Sequence, residues 1–227
     1  MAANRRITRR KFISQLGKTA LGVGLAASVG SLVACQVAPE STATPVVEAP
    51  SASPINTTPC ALPTISVPAT PEFVPPLNQT DPSTGLHVTG VREHVDLSTY
   101  RFRVTGAVQQ TLDYTFDQLR CLPKVTSETS MTCPGFFTDV TTWGGVPLEE
   151  FLQRAGLKPE AKTIRLVSDG GYFIDLSLAE ASQAGNFVAY EWDGKPIPQQ
   201  NGFPVRAILP GMYGSEWVKW LTEIRVS

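Results

Sequence analysis

Two groups of residues in the 227-residue chain have side chains able to do chemistry, and both lie in its C-terminal half. Cys133 sits in Ser130-Met131-Thr132-Cys133-Pro134-Gly135, where an extended segment gives way to a turn. A turn exposes a side chain, and a thiolate is a soft ligand suited to a soft or high-valent metal. A lone cysteine is more often an inert small hydrophobe, so by itself Cys133 leaves both readings open. The second group is the run Asn201-Gly202-Phe203-Pro204-Val205-Arg206, then Leu209-Pro210-Gly211-Met212-Tyr213-Gly214-Ser215, then Val218-Lys219-Trp220-Leu221. Its glycines allow backbone to approach a ligand closely. Backbone amides with a bidentate guanidinium and an ammonium are what a bound phosphate requires. A turn-rich hairpin with two surface cations has the same spacing.

The elements that must position these residues alternate irregularly. Tyr100, Phe102 and Val104 alternate with Arg101, Arg103 and Thr105, which predicts a half-buried strand. Pro147 opens a predicted helix with Leu148, Phe151, Leu152 and Ala155 on one stripe, and Gly156 closes it. A second helix follows Ser177, whose hydroxyl can cap it while Glu180 reciprocates three residues on. Short apolar strands are expected over residues 164–167, 187–190, 205–209 and 222–226, with Asp193-Gly194 as a hairpin-turn signal. Short strands and two modest helices without a strand-helix-strand rhythm indicate a mixed α+β domain over residues 86–227.

Composition divides the rest. Residues 1–34 carry six basic and no acidic side chains; taking 6 from the chain's 19 basic residues leaves 13 against 20 acidic, a formal charge of −7 beyond residue 34. Such an acidic remainder offers no basic face for displacing counterions from phosphates, which sets nucleic acid aside as a partner. Thr8-Arg9-Arg10-Lys11-Phe12-Ile13 resembles a twin-arginine export motif, and the uncharged stretch 20–34 is too short to span a bilayer. Leu32-Val33-Ala34-Cys35 resembles a lipobox, in which Cys35 receives the lipid that anchors the chain outside the cytoplasm. Residues 36–85 hold 11 of the 19 prolines and no Lys or Arg, and Phe73 is the sole aromatic there. With Cys35 they are expected to form a disordered tether, since such a segment buries too little apolar surface to offset its ordering entropy. Cys60 and Cys121 can pair in an oxidising compartment, leaving Cys133 free, but spacing leaves the connectivity open.

Residues 188–226, VAYEWDGKPIPQQNGFPVRAILPGMYGSEWVKWLTEIRV, resemble the hallmark stretch of the oxidoreductase molybdopterin-binding domain. Sulfite oxidases, plant-type nitrate reductases and bacterial periplasmic methionine-sulfoxide reductase subunits share that domain. Upstream, Cys133 and then Trp143-Gly144-Gly145-Val146-Pro147-Leu148 are similar to the family's molybdenum-binding Cys and its W-x-G-V-P-L, and Tyr172 falls where the family has an active-site tyrosine. The resemblance implies a single mixed-sheet domain of the sulfite oxidase type, with Cys133 as the protein thiolate on molybdenum and Tyr172 donating to the oxo group or a substrate oxygen. It also implies that Arg206 and Lys219 hold the pterin phosphate, while Asn201, Gly211, Gly214 and Ser215 complete the bed. The implied cofactor is molybdenum-molybdopterin, and the implied reaction is a two-electron oxygen-atom transfer on a small sulfur-containing substrate. Two departures stand out. Asn201 occupies a position where many relatives have His, and Pro134-Gly135-Phe136-Phe137 follows the cysteine where sulfite oxidases place arginines, an approach poorly suited to a sulfite dianion. No C-x-x-C-H haem site occurs, so electrons are expected to pass through a separate cytochrome or quinone-linked membrane protein. The competing expectation is a cofactor-free relative acting as a binding or accessory lipoprotein.

Overall fold

In chain order the described elements are β1 (Phe102–Gly106), β2 (Leu112–Tyr114), α1 (Phe116–Arg120), β3 (Val125–Cys133), β4 (Phe137–Pro147), α2 (Leu148–Ala155), β5 (Thr163–Ser168), β6 (Phe173–Ser177), α3 (Leu178–Ala181), β7 (Phe187–Trp192), β8 (Lys195–Pro196), β9 (Arg206–Ile208) and β10 (Leu221–Val226). They come from a computed structural model that describes residue 60 and residues 62–90 and 94–227, all within one compact unit, Glu48–Ser227. The expected export signal at 1–34, the expected lipidation site Cys35 and the first part of the expected tether lie outside the described residues.

One sheet runs β2-β1-β10-β5-β6, with β1 and β10 parallel and the other pairs antiparallel. The other runs β3-β4-β7-β8, and β9 also pairs with β7. The alternation read at 100–105 survives as β1, with Phe102 and Val104 buried and Arg103 exposed. The 3.6-residue stripe survives as α2, whose Leu148, Phe151, Leu152 and Ala155 are all buried. This helix contacts β1 of one sheet and β4 and β7 of the other. Phe151 packs on Phe102 and Tyr114, with ring centroids 4.9 and 6.0 Å apart. Burying such aromatics contributes on the order of 2 to 3 kcal/mol each, which ties the two sheets to one core. Ser177 caps α3 through the expected reciprocal bonds with Glu180, and Asp193 and Gly194 adopt the paired positive φ of a two-residue hairpin turn. One mixed and one antiparallel sheet with few helices match the expected α+β class.

The long hairpin β3–β4 is more than the sequence showed, since only the end of an extended segment at Cys133 was expected there. Its turn, Cys133 to Phe136, closes with the Phe136 N–H donating to the Cys133 carbonyl at 3.0 Å. β4 then passes so close to β7 that a Cβ at Gly145 would meet the Val188 carbonyl carbon at 2.7 Å. Only glycine fits there, which gives the Trp143-Gly144-Gly145 run a structural reason.

The expected tether is corrected over its second part. Residues 62–87 lie against the domain as a strap: Pro75 and Asp81 are buried, Leu86 is in the core, and Cys60 is bonded to Cys121 at the end of α1. Composition misled here because long-range bonds, absent from any local pattern, order the segment.

Candidate functional site

β3 delivers Cys133 to the tip of its hairpin, where the thiol is free and half-buried. The loop after β9 comes to meet it. Thr132 bridges Tyr213 in parallel, and the Tyr213 N–H donates to the Glu216 carboxylate at 2.9 Å, so a short 3-10 turn, Gly214–Glu216, sits over the strand end. A Cβ on Gly214 would lie 2.7 Å from the Cys133 sulfur and 3.0 Å from Met131 Cγ. Glycine is what leaves room for that sulfur. Burial pushes the Cys133 thiol pKa up and the Asp139 carboxylate adds to this, while Arg206 opposes it.

Two hollows meet at this loop. One, of about 350 Å³, is lined by Cys133, Leu77, Pro134, Phe136 and Phe137. The other, of about 390 Å³, is lined by Lys219, Trp217, Trp220, Ser168 and Tyr172. Thr89, Gly90, Gly214 and Ser215 line both, so the two hollows adjoin, with a thiol in one and an ammonium in the other, and together they make up the candidate cleft. Each is within the size range of small-molecule sites.

The expected site residues divide between the cleft and the layer behind it. Cys133, Tyr172, Gly214, Ser215 and Lys219 line the cleft; Asn201, Arg206 and Gly211 do not. Lys219 Nζ donates to the carbonyls of Thr89 and Gln200 and lies 4.4 Å from the Trp220 ring centroid. Arg206 is 3% exposed and donates to the Asn201 carbonyl at 2.9 Å and to Met131 Sδ at 3.5 Å. Its guanidinium stands 4.8 Å from the Trp143 ring and 5.8 Å from that of Trp217. Burial lowers its pKa to about 10, still far above neutrality, so it is a buried cation. Asn201 is itself buried, with Oδ1 unpartnered among the described residues. Tyr172 donates its hydroxyl to the Ser215 carbonyl at 2.7 Å, beside Lys219 and away from the thiol's apolar walls.

Sequence reasoning missed Leu77, Thr89 and Gly90 as cleft residues, and also Ser168, Trp217 and Trp220. The tryptophans flank Lys219 in the quoted run and were open to notice. Trp220 adopts φ +53, a conformation a bulky side chain takes at a cost of about 1 to 3 kcal/mol and one that collects at functional sites. Its indole N–H donates to the Gln199 carbonyl at 2.9 Å, and its own carbonyl accepts from the Asp169 N–H at 2.8 Å.

Residues 88–227 match the model of the oxidoreductase molybdopterin binding domain, which is more than half of the chain. The chain belongs to this family. Among its members, the chain is 28% identical over 141 residues to the uncharacterized oxidoreductase YuiH of Bacillus subtilis, covering 62% of this chain and 71% of YuiH. It is 29% identical over 163 residues to mitochondrial sulfite oxidase of Macaca fascicularis, covering 59% of this chain and 30% of that enzyme. The chain thus spans less than a third of the sulfite oxidase. In fold, the molybdopterin-binding domain resembles the sulfane dehydrogenase SoxCD of Paracoccus pantotrophus, with a TM-score of 0.56 at 22% identity over 60% of this chain and 40% of that one.

The residues present fit the family's cofactor. Among the described residues no group of three or more His, Cys, Asp or Glu is placed to hold a metal, so a metal at Cys133 would arrive with other ligands of its own. The cleft runs from a soft sulfur to a cation, and the buried Trp217 Nε1 in its wall has no partner among the described residues.

Proposed function

We propose that this protein is an exported, lipid-anchored oxidoreductase that uses molybdenum-molybdopterin for two-electron oxygen-atom transfer on a small, uncharged sulfur compound. One observation carries the reading: the free thiol of Cys133 opens into a hollow that adjoins the one lined by Lys219. When bound, the cofactor supplies the metal and dithiolene through which electrons and oxygen are exchanged. Cys133 would give the metal its protein thiolate. Lys219 would bind the terminal phosphate as a point charge, with the buried Arg206 adding positive potential from behind Trp217. Gly214 and Ser215 would offer backbone to the cofactor, and Tyr172 keeps Ser215 in place through its carbonyl. Leu77, Phe136 and Phe137 give the thiol end apolar walls, which favour an uncharged substrate over an oxyanion.

Location and partner follow from chemistry. The Cys60–Cys121 disulfide supports an oxidising, extracytoplasmic compartment, in keeping with the twin-arginine motif and lipobox around Cys35. Electrons would be exchanged with a separate cytochrome or quinone-linked membrane protein.

Metal analysis of the exported protein beside a Cys133→Ser variant tests the proposal. Stoichiometric molybdenum in the wild type, lost or catalytically silent in the variant, is the expected result. Absence of molybdenum from both proteins would leave the accessory-lipoprotein reading in its place.

A further inference from the structure

The strap over residues 62–87 lies outside the region matched by the family model, yet it is fastened to the site at successive points. Cys60 is bonded to Cys121, and Arg120 donates to the Pro63 carbonyl at 3.1 Å. Gln199 Nε2 donates to the Pro68 carbonyl at 3.3 Å, and Gln200 Nε2 donates to the buried carboxylate of Asp81. Between those last two fastenings the strap places Leu77 in the wall of the Cys133 hollow. Past them it enters the core at Leu86, and the chain that follows the strap, inside the matched region, supplies Thr89 and Gly90 to both hollows.

The glutamines that hold the strap also hold the cationic end. They belong to a 3-10 turn, Gln199–Asn201, in which the Gln199 and Gln200 side chains reach the strap while all three carbonyls accept from residues of the cationic end or the layer behind it. The Gln199 carbonyl accepts from the Trp220 indole, the Gln200 carbonyl from Lys219 and the Asn201 carbonyl from Arg206. Lys219 also donates to the carbonyl of Thr89, two residues past the strap. The turn therefore ties the strap, through Gln199 and Gln200, to the placement of Lys219, through the Gln200 carbonyl.

We propose that residues 62–87 are a wall of the cofactor and substrate cleft, with Leu77 as a specificity-determining side chain at the thiol end and the Gln199–Asn201 turn positioning the wall and Lys219 as one unit. The inference rests on the cofactor reading above for its ligand, but not for its geometry. A wall of apolar side chain at the thiol favours a substrate carrying an apolar substituent. A wall fastened through side chains far apart in sequence holds its place only while those fastenings last.

The test uses the full exported chain as wild type, as Cys60→Ser/Cys121→Ser, as Gln200→Leu and as Leu77→Ala. Amide hydrogen exchange over residues 76–86 should quicken about tenfold or more in the first two variants, with β1 and β10 unchanged. Alkylation of Cys133 by N-phenylmaleimide, read by peptide mass on protein freed of cofactor so that the thiol is unligated, should quicken in the same two variants. Molybdopterin retained through purification should fall in both. Leu77→Ala should keep wild-type exchange and molybdopterin content but raise KM for methyl phenyl sulfoxide about threefold to tenfold relative to dimethyl sulfoxide, with kcat little changed. Unchanged exchange and Cys133 alkylation in both strap variants would overturn the wall; an unchanged KM ratio in Leu77→Ala would overturn the role of that side chain. Absence of molybdopterin from the wild type would sink the cofactor reading, leaving the wall to be decided by exchange and alkylation.

Discussion

At one end of the cleft a thiol faces Leu77, Pro134, Phe136 and Phe137; at the other an ammonium stands beside two tryptophans, Ser168 and Tyr172. The ends are held differently. The thiol end is made of a hairpin tip and a strap, and Phe136 there is 69% exposed. The cationic end is held by consecutive backbone carbonyls, a tryptophan in an uncommon conformation and a guanidinium buried behind it. On the proposed function, a site that binds one cofactor and admits a small substrate would benefit from this division. Rigid groups at the cationic end lower the ordering cost of binding, while adaptable apolar groups at the thiol end set what enters.

The largest expected effect comes from the two cations, which the division separates by depth. Truncating Arg206 to Ala leaves the Asn201 carbonyl unpaired, opens a cavity between Trp143 and Trp217 and should cost about 3 kcal/mol of stability. Lys219→Ala removes a cation from the cleft wall and should cost only about 1 kcal/mol. Molybdopterin retention should rank in the opposite order relative to stability, with Lys219→Ala losing the cofactor from a protein that remains folded. Urea unfolding beside molybdopterin assay measures both. Equal stability losses would show that the cations do not differ in structural role.

Gly214→Ala addresses the thiol end without touching Lys219. Its added methyl would press on the Cys133 sulfur and Met131, so the overpacking should cost about 1 to 3 kcal/mol and displace the sulfur. Molybdenum content should drop more than stability does. A variant with wild-type metal content would show that the sulfur does not depend on this close approach.

How much of this was legible in the sequence depended on whether a residue's role is local. The strand at Phe102, the stripe on α2 and the Ser177–Glu180 cap carry their reasons within a few residues, and each was read correctly. β3 is a run of Ser and Thr with only Thr129 and Met131 buried, so no period marked it; its order comes from β4 across the hairpin. Cys133 at a turn was legible because Pro134-Gly135 marks the turn. Arg206 and Lys219 looked alike as cations in an acidic domain, and only packing places one behind the cleft and the other in its wall. The strap was read as tether because proline content reports what a segment can do alone, whereas Gln199, Gln200 and Cys121 order it from 60 or more residues away.

The smallest effect tests the support shared by both ends. β7 pairs on one side with β4, which leads back to Cys133, and on the other with β9, which begins at Arg206. Tyr190 lies on β7, where burial pushes its phenol pKa up to about 12, with the Glu191 carboxylate adding to the rise and Arg120 opposing it. A phenol in the unfolded chain ionises near pH 10, so between about 10 and 12 the folded state keeps a proton that the unfolded state has released. The stabilisation linked to this proton is fully present below pH 10 and is lost as pH rises toward 12. Tyr190→Phe cannot titrate, and its urea midpoint should fall less steeply with pH over that window than the wild type's. Parallel slopes would show that β7 keeps its pairing with both neighbours whatever the charge on Tyr190, and that the alkaline limit of the cleft is set elsewhere in the sheet.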